Sequence, residues 1–127
     1  MGNGTSIGRV RGLGAAHSGS HHWLIIRYTA IGSLLLTVWF GVSLLLLPNL
    51  SYPTVHEWIT RPVPATALAL FVLINIWHAR LGIQVVIEDY VHEDANKFIS
   101  ITLLNLVTFA AAAFGLFCVI RLALGGA

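Results

Sequence analysis

Three runs of this chain, residues 23–47, 63–87 and 98–121, stay apolar for longer than a soluble core element needs, and nothing else in the sequence limits the fold as much. Crossing the hydrocarbon of a bilayer as a helix takes about 20 predominantly apolar residues. Each run supplies that length. Composition agrees: only 9% of the 127 residues are charged, against roughly 25% in a soluble domain that must keep its surface wet. The fold class expected is therefore all-α, an integral membrane protein with three transmembrane helices in one domain. A net charge of +2 from scattered Lys and Arg gives no nucleic-acid footprint. The single cysteine, Cys118, excludes an internal disulfide and a cysteine-only metal site, and reads as a small core residue.

Between the spans, "PNLSYPTVHEWITRP" (48–62) reads as a turn-rich loop because of its prolines and its Ser, Asn and Thr content. Tyr52 and Trp58 suit a membrane interface there. Asp94 to Asn96 offer caps for the third helix. The first span is too long for a signal-peptide core and lacks the small-residue cleavage pattern. The Gly/Ser-rich, acid-free stretch 1–22 is expected to be a retained, flexible tail. Arg9, Arg11, Arg27 and Lys97 lie on one side of the spans, and Arg61 and Arg121 on the other. Counting Arg80 as snorkelling toward the first group, the positive-inside rule places 1–22 and 88–97 in the cytoplasm and 48–62 and 122–127 in the periplasm.

Within the second run, "NIWHARLGIQVVIEDYVHEDANK" carries His78 and Arg80 at membrane depth and closes on Glu88, Asp89 and Tyr90. A polar residue in a span is costly, at least ~2.5 kcal/mol for Arg, so it should face protein, cofactor or water. Neutral imidazole offers one lone-pair nitrogen and can serve as an axial haem ligand; equally, it can hydrogen-bond a neighbouring helix. His17, His21, His22, His56 and His92 fall in tails, loops or span ends. If His78 binds haem, a second axial ligand must come from another subunit, and the chain is half of a cytochrome. Asp89 follows His78 by eleven residues, which brings both to nearly the same helix face about 16 Å apart. Tyr90 and a nearby carboxylate could hold and protonate a quinone carbonyl, or belong to an aromatic belt and a solvated helix end. Arg27, one turn into the first span, suits a bidentate carboxylate such as a haem propionate, or lipid phosphate. Arg80 projects about 200° from His78 and so serves a separate partner, with snorkelling and a second propionate contact both open. Gly82 clears space one turn beyond His78, and Ala110 to Ala113 with Gly115 form a small-residue packing face.

"HARLGIQVVIEDYVH" resembles the second transmembrane helix of the hydrophobic membrane-anchor family of succinate dehydrogenase (respiratory complex II), of the cytochrome b556 type. His78, Asp89 and Tyr90 keep that family's spacing of haem ligand and Asp-Tyr pair. "GLGAAHSGSHHWLIIRYTA" is similar to the family's Gly/His-rich approach to helix one, with Arg27, Thr29 and Ala30 in its Arg-x-Thr-Ala signature. The Asp-Tyr-Val-His ending looks like the bacterial and mitochondrial-ancestor branch.

The resemblance implies a three-helix half of an anchor bundle in the bacterial inner membrane, N-terminus cytoplasmic. A second three-helix anchor, the cytochrome b subunit of succinate dehydrogenase, would complete it, with lipid around both and no nucleic acid. The flavoprotein and iron–sulfur subunits would dock on the cytoplasmic face and oxidise succinate, in the tricarboxylic acid cycle. Haem b would be shared with the cytochrome b subunit through His78, with Arg27 on a propionate. Ubiquinone would be reduced near Tyr90, with Asp89 orienting Tyr90 or relaying protons. The chain itself has no dinucleotide glycine fingerprint and no cysteine cluster for iron–sulfur binding. Alternatives are a fumarate reductase anchor and a non-redox structural or small-transporter subunit.

Overall fold

The computed structural model describes residues 19–126. The expectations for residues 1–18, among them Arg9, Arg11 and His17, lie outside these residues. Four helices follow in order: α1 (Gly19–Leu45), α2 (Tyr52–Ile59), α3 (Pro62–Tyr90) and α4 (Asp94–Ala123). Three of them, α1, α3 and α4, are long and apolar enough to cross a membrane, and the chain is an all-α, multi-pass membrane protein. At 29 residues α3 measures about 43 Å, enough for the hydrocarbon and part of each headgroup layer.

The sequence sets where these helices stop and start. Pro48 closes off α1, and Pro53 and Pro62 sit at the first turns of α2 and α3, where proline's missing N–H has no helical partner to lose. At the far end, Gly125 takes a φ of +79°, a left-handed turn that favours glycine. Its N–H bonds Leu122 at 3.1 Å and that of Gly126 bonds Arg121 at 2.8 Å, which satisfies the last carbonyls of α4.

Two expectations are revised. Residues 48–62 are not all turn: α2 occupies eight of them. Trp58 on α2 stacks on Trp39 of α1 at 5.8 Å and tilts against Phe40, which in turn stacks on Phe71 of α3 at 5.4 Å. Packing these half-buried rings together ties the return segment, as a helix, to the end of the bundle. At the start of α4 the capping position belongs to Glu93, without a side-chain cap, and Asp94 falls in the first turn, where a carboxylate complements the helix dipole.

Helix α3 is the centre. It packs along α1 on one side and α4 on the other, while α1 and α4 do not approach each other. Both seams rest on glycine. A Cβ on Gly32 would collide with Ile74 Cδ1, and one on Gly115 would meet Val72 Cγ1 at 2.6 Å, so backbone approach is close at both. Ala110, Ala111 and Ala113 remain exposed instead of packing within the chain. Among the described residues only Leu81 and Val119 form a buried apolar core. The rest of the apolar surface has to face lipid or another chain.

Candidate functional site

The seam between α1 and α3 is polar at mid-membrane. Thr29 Oγ1 lies 2.9 Å from His78 Nδ1. One turn further along, the Ser33 hydroxyl donates to Asn75 Oδ1 at 2.7 Å. Asn75 in turn donates through Nδ2 to the Phe71 carbonyl at 2.8 Å. Thr29 and Ser33 are four apart on α1, and Asn75 and His78 three apart on α3, so both pairs share one face of each antiparallel helix. Polar groups in lipid need such partners, and here each helix supplies them for the other.

His78 therefore does meet a neighbouring helix, but through Nδ1 alone. Its Nε2 has no hydrogen-bond partner among the described residues and is not sealed from the surroundings. Beside it, Ala79 and Gly82 are exposed, and nothing lies within 4 Å of where a Gly82 Cβ would point. Gly82 is only about 40° around the helix from His78. An imidazole nitrogen on a helix face left open at Gly82 can accept a flat, metal-bearing ring. The residues present fit a haem.

Arg80 has its own partner, as its angular offset from His78 requires. Its Nε donates to Asn105 Oδ1 of α4 at 2.8 Å, and its guanidinium lies 5.3 Å from the Trp77 ring centroid. Both contacts tie it to side chains of α3 and α4. Thr29, Trp77, Arg80 and Asn105 line one end of a largely apolar groove of about 740 Å³ that continues past Leu70 and Leu36. His78 does not line it.

The remaining candidates lie toward the acidic end of α3. Arg27 stacks over Trp23, 4.2 Å from the ring centroid, and is exposed; it is about 200° around α1 from Thr29 and leaves the seam. Asp89 is exposed and Tyr90, the last residue of α3, is 78% exposed. Among the described residues no hydrogen bond joins Asp89 to Tyr90. Glu88 is instead bonded by Gln84 at 2.8 Å, and with His21, His22 and Ile25 it lines a smaller cavity of about 360 Å³. Thus Asp89 and Tyr90 share one helix end, whereas His78 and Arg27 are connected only through α1. Ser33, Asn75 and Asn105 had no role expected from the sequence. Their signal was available: each is a polar side chain inside an apolar run.

Comparison with known proteins fits this arrangement. The family described as succinate dehydrogenase/fumarate reductase transmembrane subunit matches residues 1–114. The chain belongs to that family. Among its relatives, the succinate dehydrogenase hydrophobic membrane anchor subunit of Rickettsia conorii is 38% identical over 115 residues, covering 87% of this chain and 91% of that protein. The succinate dehydrogenase membrane anchor subunit of Reclinomonas americana is 35% identical over 94 residues, 71% of this chain and 78% of the other. The hydrophobic membrane anchor subunit of Paracoccus denitrificans succinate dehydrogenase is 29% identical over 116 residues, 91% and 89% of the two chains. No solved structure matches significantly. The stretch shared with the transmembrane-subunit family contains the whole α1–α3 seam, Arg27, and the Asp89-Tyr90 end.

Proposed function

We propose that this chain is the hydrophobic membrane anchor, cytochrome b556 type, of a succinate dehydrogenase in a bacterial inner membrane, with its N-terminus in the cytoplasm. It would pair with the cytochrome b subunit and seat the iron–sulfur and flavoprotein subunits, on which succinate is oxidised. The observation that carries this reading is that His78 Nε2, at mid-span and one turn before the open Gly82, has no hydrogen-bond partner among the described residues, in a chain of this family. His78 would supply one axial ligand to haem b and the cytochrome b subunit the other. Arg27, which lies over the face of Trp23, would neutralise a propionate. Haem held by His78 and the cytochrome b subunit would supply one-electron transfer. At the cytoplasmic end of α3, the exposed Tyr90 hydroxyl would donate to a ubiquinone oxygen, and the Asp89 carboxylate beside it would take part in proton delivery. The relatives' names support succinate oxidation over fumarate reduction as the working direction.

The test is purification of the tagged chain from its native membrane. Flavoprotein, iron–sulfur and second anchor subunits should co-purify with a b-type Soret band. His78→Ala should lower the haem-to-protein ratio or alter that band. A ratio and spectrum unchanged by the substitution would remove the ligand assignment.

A further inference from the structure

The hydroxyl of Thr29 has three neighbours and one proton. Its Oγ1 lies 2.9 Å from the Ile25 carbonyl, 3.0 Å from the Ile26 carbonyl and 2.9 Å from His78 Nδ1. The two carbonyls can only accept. If the proton were given to Nδ1, the oxygen lone pairs would face both carbonyl oxygens at hydrogen-bond distance with nothing between them. The arrangement is consistent only when Thr29 donates to the carbonyls of its own helix and accepts from Nδ1–H. That fixes the imidazole tautomer: the proton is on Nδ1, and Nε2 carries the lone pair.

The same contacts hold the ring in place. Thr29 is β-branched, so its χ1 is restricted, and a helical threonine readily bonds the carbonyls three and four residues back. The acceptor is thus tied to the α1 backbone, and the seam around it is closed by Ser33 on Asn75 and by Gly32 against Ile74. A ligand histidine whose second nitrogen donates to an oxygen is more basic and has a fixed plane.

We infer that Thr29 is a positioning residue for the haem site: it sets the tautomer, plane and donor strength of His78, and through them the reduction potential of the bound haem. This role rests on His78 being a haem ligand, as proposed above. A stronger donor favours the oxidised iron, so deleting the hydroxyl should raise the potential.

The experiment uses the assembled complex with Thr29→Val, which keeps the shape and removes the hydroxyl, and Thr29→Ser, which keeps the hydroxyl. Expected for Thr29→Val are an upward shift of the haem midpoint potential, an altered low-spin ferric EPR signal, and haem affinity lower by about 10–100-fold, as for other partners of metal-bound histidines. Thr29→Ser should restore all three toward wild type. Where Thr29→Val impairs assembly, Thr29→Ala removes the same hydroxyl without crowding and is read the same way. Wild-type potential and EPR in the hydroxyl-deleted variant, alongside haem loss in His78→Ala, would overturn the role of Thr29 and leave the haem ligand standing. Full haem content and an unchanged spectrum in His78→Ala would overturn both.

Discussion

Tyr90 is the residue at which binding and chemistry can be separated most cleanly. It ends α3, is 78% exposed and packs on little, so Tyr90→Phe should leave folding and assembly intact. A hydroxyl that only binds a quinone oxygen is worth roughly 0.5–1.5 kcal/mol, a few-fold in quinone reduction. Participation in proton transfer would add about 10²–10⁴-fold. Succinate oxidation through an artificial dye that accepts electrons upstream should be spared in either case. Equal quinone reductase rates for wild type and variant would return Tyr90 to the aromatic belt. At this scale the sequence shows where a polar side chain needs a partner. An imidazole and a guanidinium inside apolar runs are legible because lipid makes them costly. Their partners were not. His78 meets Thr29 and Arg80 meets Asn105 across 49 and 25 residues of chain, and such pairings depend on helix register and rotation, which hydropathy does not encode. The angular offset of Arg80 from His78 did anticipate that the two serve different neighbours.

At the scale of the helix, two glycines allow close packing for the same reason but should differ in tolerance. The atom facing Gly32 is Ile74 Cδ1, the far end of a side chain that can rotate away. Gly32→Ala should therefore cost about 0.5–1.5 kcal/mol of rotamer strain. Gly115 faces Val72 Cγ1, one bond from the backbone-fixed Cβ, and β-branching leaves valine few alternatives in a helix. Gly115→Ala should cost about 1–3 kcal/mol, the range for overpacking. The double variant Gly115→Ala with Val72→Ala should recover most of it. Thermal dissociation of the detergent-solubilised complex would measure the difference. Equal midpoints for the two single variants would show that α3 and α4 yield as bodies. Gly115 and its alanine neighbours were recognisable as a packing face, yet only Gly115 and Ala112 turn inward, because a run of four small residues wraps most of the way around a helix. Helix α2 was less legible: its prolines mark turns in sequence, but at first-turn positions they start helices, and the Trp58 contacts with Trp39 and Phe40 reward that choice.

For the whole molecule, the open order α1–α3–α4 leaves most large apolar side chains exposed, so its orientation is decided by loop charge. The position of Arg80 changes that count. With its guanidinium bonded to Asn105 and lying by Trp77, Arg80 can be counted with neither face, and the balance becomes Arg9, Arg11, Arg27 and Lys97 against Arg61 and Arg121. The pairing of Arg61 with Glu57 at 3.3 Å does not alter this, since acidic residues contribute little to the rule. By the positive-inside rule the proposed orientation keeps the larger count, four against two, with Asp89 and Tyr90 at the end that would meet the soluble subunits. With that orientation an odd number of crossings would put Ala127 outside. Alkaline phosphatase fused after Ala127 should be active and a fluorescent protein there dark. In a Cys118→Ser background, Asn49→Cys should react with a membrane-impermeant thiol reagent added to intact spheroplasts, because Asn49 lies in the short connection between α1 and α2. An inactive phosphatase with an unreactive Cys at position 49 would invert the molecule. Tyr90 would then face the periplasm, away from any cytoplasmic electron donor, and its part in quinone reduction would fall with the orientation.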